Sequence, residues 1–198
     1  MPDDEFVSLL EDQLSKLGYN EAIQLCWTNH PTVTGATFVG TLWKTYLGNY
    51  AVLTGVNYFG DNVVRRKVNG VWQPTEWFNP PMQLGVEYRT AERYLGKPVY
   101  CQVIDCGVIT TDTQKIVDKS IPVLDVLSCE GIIHTNSNGH NQATPFDYSD
   151  TNGTKYSVTV SAEAYKQSEV DRLSIYVNSS WTVTGSVHAI VRYTKETD

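Results

Sequence analysis

The segment Tyr156-Ser157-Val158-Thr159-Val160-Ser161-Ala162 places Tyr156, Val158, Val160 and Ala162 on one side and small polar residues on the other. The same alternation recurs at Leu173, Ile175 and Val177, and again at Val187, Ala189, Val191 and Tyr193. Successive side chains of a strand point to opposite faces. Such runs therefore mark strands with one face in a core and one in water, the habit of antiparallel sheets. No long helical pattern separates them, so strands must pack on strands. The expected fold is mainly β, an antiparallel β-sandwich of jelly-roll type.

Working outward from these runs, residues 123–133 read as strand around a bend at Gly131, and residues 134–154 as a polar loop. Upstream, residues 84–90 and 98–104 read as strands joined by residues 91–97. Asn79-Pro80-Pro81 interrupts any sheet, because proline fixes φ and donates no hydrogen bond. Before it, residues 37–43, 49–54 and 62–68 are short β-like runs, the last closed by Asn69-Gly70 ahead of Val71-Trp72. Asn-Gly suits a type I′ hairpin, whose central residues both need positive φ. Residues 2–17 read as the one helix. Phe6, Leu9, Leu10, Leu14 and Leu17 recur at spacings of three and four, an acid stands at the start and Gly18 is the expected end. At this length a helix is marginal alone. It packs either on its own domain or on copies of itself. The expected division is a helix over 1–20, a β region over 21–78 and a β-sandwich domain over 79–198.

The 198-residue chain is long enough to bury a core, and its net charge of −7 argues against a phosphate-tracking nucleic-acid binder. Charged residues are only 19%, so Thr, Ser, Asn and Gly supply the polarity, as β-rich chains prefer. No run approaches the length of a membrane span, and the acidic start is unlike a signal peptide. The expectation is synthesis in a cytoplasm without membrane insertion. Cys26, Cys101, Cys106 and Cys129 form no CxxC pair and read as free thiols rather than a zinc site.

Catalytic signatures are missing from the sequence: no nucleophile elbow, P-loop, dinucleotide fingerprint or H-E-x-x-H. His134, His140, Asp147 and Asp150 share the polar loop, and Glu87, Glu92, Asp105 and Asp125 stand near aromatics. The first set could in principle hold a metal, but such loops are common without any ligand, and sequence spacing does not establish the separation in space that a glycosidase pair requires. The expectation is no enzyme, no cofactor and no metal. Five Trp and twelve Tyr in a charge-poor chain exceed one small core. The surplus suits a surface that stacks on sugars or one that packs on another chain. A long loop held by rigid sheets is a natural binding element. His134, Asn136, Asn138, His140, Asn141, Phe146 and Tyr148 are the expected ligand-binding residues, with trimer packing as the alternative role of that loop. The fallback is the aromatic surface near Trp77 and Trp181.

Two segments carry a resemblance. The first is Trp77-Phe78-Asn79-Pro80-Pro81-Met82, followed by Gly85-Val86-Glu87-Tyr88-Arg89-Thr90-Ala91-Glu92-Arg93-Tyr94-Leu95-Gly96-Lys97-Pro98-Val99-Tyr100. The second is the end, Val191-Arg192-Tyr193-Thr194-Lys195-Glu196-Thr197-Asp198. Both are similar to the C-terminal parts of tail fibre and receptor-binding proteins of phages and prophages, mostly of Gram-positive and gut bacteria. Residues 48–72 resemble the last element of a fibre shaft, making 21–78 a shaft-end region and 79–198 a tip domain. The resemblance implies a homotrimeric virion tail component, made in the host bacterial cytoplasm. It would attach to a cell-surface polysaccharide or protein receptor and contact other tail or baseplate proteins. It implies a fold signature at Arg89, Thr90, Glu92, Gly96, Lys97, Pro98 and Tyr100, with a turn at Gly96-Lys97-Pro98, and no catalytic set. The alternatives are a glycan-degrading depolymerase or esterase module, and a structural baseplate or neck protein without an external ligand.

Overall fold

The computed structural model describes residues 3–30, 33–46, 48–57, 59–109, 114–135, 141–149, 152, 155–167, 170–179 and 183–196. The fold is mainly β, with antiparallel sheets and a short N-terminal helix. The chain divides into two compact units, one of Met1–Pro81 with Arg89–Ala91 and one of Met82–Tyr88 with Glu92–Asp198.

In the first unit, α1 (Asp3–Ser15) buries Phe6, Leu10 and Leu14, an i, i+4 stripe on one face. The helix lies on its own sheet. Glu11 accepts hydrogen bonds from Lys67 Nζ (2.8 Å) and Trp72 Nε1 (2.7 Å). Its end differs from the sequence expectation. Gly18 takes no left-handed φ; the positive φ falls on Asn20 (61°). The last carbonyls are met instead by Lys44, whose Nζ donates to Leu14 O (3.0 Å) and Leu17 O (2.7 Å). That sets a cation at the negative end of the helix.

Strands β1 (Ala22–His30), β2 (Val33–Lys44), β3 (Ala51–Asn57) and β4 (Asn62–Val68) form an antiparallel meander. Asn69 (φ 51°) and Gly70 (φ 84°) turn β4 into β5 (Val71–Trp72), the I′ hairpin expected of Asn-Gly. β6 (Glu76–Trp77) pairs antiparallel with β4 and, through Trp77, parallel with Thr90 of β7 (Glu87–Tyr94). The inner face of this sheet carries Trp27, Phe38, Leu42, Leu53 and Trp77, all buried. Trp27 stacks on Phe38 at 5.7 Å with 7° between planes, and Phe6 of the helix meets it at 5.5 Å. The indole of Trp27 lies over the cross-strand pair Gly40↔Gly55. A Cβ at either glycine would come within 2.7 Å of its ring. Glycine is required at both for that close approach.

In the second unit, Leu95 (φ 48°) and Gly96 (φ 82°) turn β7 into β8 (Lys97–Ile109). The turn expected at Gly96-Lys97-Pro98 thus sits one residue earlier, and Lys97 and Pro98 already belong to the strand. Then follow β9 (Gln114–Lys119), β10 (Val123–Thr135), β11 (Asn141–Ala143), β12 (Phe146–Ser149), β13 (Lys155–Gln167), β14 (Val170–Ser179) and β15 (Val183–Lys195). One sheet runs β8-β15-β10-β11 and the other β12-β13-β14-β9. They enclose a core of Ile104, Ile133, Val158, Leu173, Ile175, Val177, Val187, Ala189, Val191 and Tyr193. This is a β-sandwich, and its core comes largely from the alternating runs that begin the sequence reading.

Two readings are corrected here. Gly131 is no bend: β10 pairs through it, opposite Ala189. Its missing side chain makes room instead, since a Cβ would stand 2.4 Å from both Thr144 Oγ1 and Val160 Cγ2. Nor are residues 134–154 a continuous loop. β11 pairs back on β10, and β12 pairs with β13 in the other sheet, so the segment passes from one sheet to the other. Polar composition hid these short strands, because backbone pairing asks nothing of side-chain polarity.

Candidate functional site

The outer face of the first unit's sheet is organised in rows, because cross-strand partners in a ladder project to the same side. One row is polar: Gln24 on β1 pairs with Thr41 on β2, which pairs with Thr54 on β3. Neighbouring strands are about 4.8 Å apart, so hydroxyl and amide groups recur at that interval across the sheet. The next row joins Cys26, Val39, Val56 and Asn62. On the opposite side of the polar row, Trp43 pairs with Ala22 and Val52.

Between these rows lies an open groove of about 420 Å³. Its floor is the backbone of Gly40 and Gly55, and its sides include Val39, Thr41, Thr54, Val56 and Asn62. Phe78 closes one end, placed there by its N–H donating to Asn62 O (2.9 Å). Val39 is 52% exposed, Val56 42% and Phe78 58%; Trp43, beside the groove, is 55% exposed. The floor is held rigid from beneath by Trp27 and Phe38, and through Trp27 by Phe6 of the helix.

Among the described residues, no charged side chain lines the groove. The nearby guanidiniums serve the protein itself. Glu76, 2% exposed, is gripped on one oxygen by Arg66 Nη1 and on the other by Arg89 Nε (3.2 Å). A buried carboxylate with both oxygens engaged by guanidinium groups is a satisfied structural ion cluster.

Of the residues expected to bind ligand from the sequence, the described ones belong to the second unit. Asn136, Asn138 and His140 fall outside the described residues. His134 stands opposite Asn141 in the β10–β11 pairing, while Phe146 and Tyr148 stand opposite Val158 and Tyr156 on β12–β13. The backbone thus assigns His134 and Asn141 to one sheet, Phe146 and Tyr148 to the other. At the fallback surface near Trp77, Trp77 itself is 1% exposed and packs edge-on to Phe38, while its neighbour Phe78 is exposed and lines the groove. Trp181 is outside the described residues. Among the described residues, no group of His, Cys, Asp and Glu side chains is arranged to hold a metal ion.

In the second unit Glu87, Glu92, Lys97 and Tyr100 meet residues 192–196. Tyr193 on β15 pairs with Tyr100 on β8, and their rings stack at 6.0 Å. Glu87 accepts hydrogen bonds from Tyr193 Oη and Lys195 Nζ. Arg192 Nη1 donates to Glu92 Oε1 (3.0 Å), and Lys97 Nζ donates to Glu196 O (3.3 Å). Burial, then the hydrogen bond to Glu87, pushes the Tyr193 phenol far above the usual tyrosine range. Asp105 accepts from Gly107 N (2.7 Å) and Asp125 from Thr194 Oγ1 (3.3 Å). Each of Glu87, Glu92, Asp105 and Asp125 therefore accepts a hydrogen bond within the second unit.

The groove was missed because the sequence reading identified strands 37–43 and 49–54 without assigning their outward faces. The signal was present: Phe38, Gly40 and Leu42 alternate with Val39, Thr41 and Trp43. What could not be read was the register that aligns Thr41 with Thr54.

No protein-family model matches the sequence. No curated protein matches it either. Among solved structures, a C-terminal fragment of the P. aeruginosa R1 pyocin fibre aligns at 9% identity over 88% of this chain, with a TM-score of 0.27. The chain spans 63% of that fragment's length.

Proposed function

We propose that this chain is a receptor-binding tail fibre protein that attaches a virion to a host cell-surface glycan or protein, without turnover. The observation that carries the reading is the groove face: aromatic and aliphatic side chains exposed beside a row of uncharged hydrogen-bonding groups, on a rigid sheet. The tail fibre resemblance of residues 77–100 and 191–198 supports it from the sequence side. In this reading the chain is a homotrimer carried on the virion tail beside other tail or baseplate proteins. Repeated copies turn weak single contacts into firm attachment through effective concentration.

The test is adhesion of the fluorescently labelled chain to a panel of Gram-positive and gut bacteria, with sedimentation to measure its mass. Strain-selective adhesion by an assembly of three 22.2 kDa chains is expected. Release of soluble sugar from the bound cells would replace the reading with a depolymerase. Failure to adhere to any strain would favour an internal structural role. Changing Asn136, Asn138, His140 and Tyr148 together to Ala asks whether the 134–154 segment shares the receptor contact.

A further inference from the structure

The groove's chemistry narrows the ligand. We infer that it binds an uncharged oligosaccharide laid across the strands, perpendicular to β1, β2 and β3. This names the ligand class for the attachment role proposed above and rests on that reading.

The chain carries −7, yet among the described residues no acid or base lines the groove. The guanidiniums of Arg66 and Arg89 are held on Glu76. A uronate- or phosphate-bearing chain would approach an acidic protein and meet no cation in the groove to offset its desolvation. A neutral ligand meets no such cost.

Polarity is arranged in rows. Gln24, Thr41 and Thr54 offer an amide and hydroxyls about one strand spacing apart, each able to donate and accept. Val39 and Val56 form an apolar strip beside them. A pyranose presents the same division, with hydroxyls around the ring edge and C–H groups on its faces. A linear chain of such rings crossing the strands would set hydroxyls over the polar row and C–H faces on the apolar strip. Phe78, exposed at the groove's end, supplies an aromatic face for a ring to rest against.

The groove is also preorganised. The groove's walls stand on strands rather than loops, and its floor is backbone over Trp27. Little ordering is needed on binding, which suits a weak, repeated contact.

The test uses the full chain on a printed array of neutral hexose and N-acetylhexosamine oligosaccharides beside uronate- and phosphate-bearing ones, followed by titration of the best neutral binder. Binding confined to neutral glycans is expected. Thr41→Val with Thr54→Val keeps shape and strand preference on an outer face while removing both hydroxyls. Two ordinary hydrogen bonds correspond to a loss of about tenfold in affinity, with circular dichroism and melting temperature unchanged. Phe78→Ala should weaken the same binding. Binding only to acidic glycans, binding to none, or full affinity in the folded double variant overturns the inference. Cell adhesion separates it from the broader reading. If the chain and its double variant adhere equally well, this inference falls and attachment stands. If neutral glycans bind but no strain is recognised, the groove assignment stands and attachment falls.

Discussion

Lys195 holds its Nζ 4.2 Å from the ring centroid of Tyr100 while donating a hydrogen bond to Glu87. The contact joins the end of β15 to β8 and to β7, through residues from both segments that resemble tail fibre proteins. The resemblance therefore describes a packed cluster, in which Tyr100 and Tyr193 stack and Glu87 satisfies the groups above them.

Glu87→Ala should destabilise the second unit by about 2 kcal/mol, the scale of losing a hydrogen bond to a charged group. The change leaves the Tyr193 hydroxyl and the Lys195 ammonium without their carboxylate. Urea denaturation would measure it. A midpoint equal to that of the parent would remove Glu87 from the account of how the second unit is held.

Alkaline pH should weaken the fold in two steps. Burial pushes the Cys106 and Cys129 thiols up to about 11, from 9.0 in an open chain. Tyr193 is raised further still, chiefly by burial. A group whose folded pKa lies above its unfolded one stabilises fully below the unfolded value and loses that contribution as pH rises. Melting temperature should thus be level to about pH 8.5 and then fall as thiols begin to ionise in the unfolded chain, more steeply above about pH 10 where tyrosine joins them. Tyr193→Phe should start lower, having lost its bond to Glu87, and show a shallower fall above pH 10. An unchanged slope would exclude Tyr193 as the source.

Glu76→Gln should cost the first unit about 1.5 to 3 kcal/mol, the scale of a hydrogen bond to a charged group, because the buried Glu76 loses its charge beside Arg89 while the half-exposed Arg66 still reaches water. A thermal scan detected through tryptophan fluorescence would follow it. Stability within experimental error of the parent would mean the guanidiniums find water when the carboxylate is neutralised.

Gly40→Ala should destabilise by about 2 kcal/mol, the usual scale of overpacking. Its Cβ would meet Thr54 O at 2.6 Å and Trp27 Cη2 at 2.7 Å, and the backbone oxygen has little freedom to move. Displacement of Trp27 should also alter near-ultraviolet circular dichroism. A stable variant with the parent's aromatic spectrum would contradict the tight seat of the indole.

The strand character of the chain was legible wherever one face meets a core. Leu173, Ile175 and Val177 announce their side because a strand buried on one face must alternate. Asn69-Gly70 announced its turn because few residue pairs accept two positive φ angles. Local chemistry sufficed for these. It did not suffice for Asn141–Ala143 and Phe146–Ser149, whose pairing depends on which distant backbone lies alongside. Nor did it place Trp77, since aromatic composition alone does not distinguish a core ring from a surface one. The groove face is the clearest case. Thr41 and Thr54 are unremarkable as sequence neighbours of Gly40 and Gly55, and only the registers of β1 with β2 and β2 with β3 align them with Gln24. Periodicity determined which residues share a strand face. Long-range hydrogen bonding decided which faces share a surface, because register is a property of paired strands and of neither strand alone.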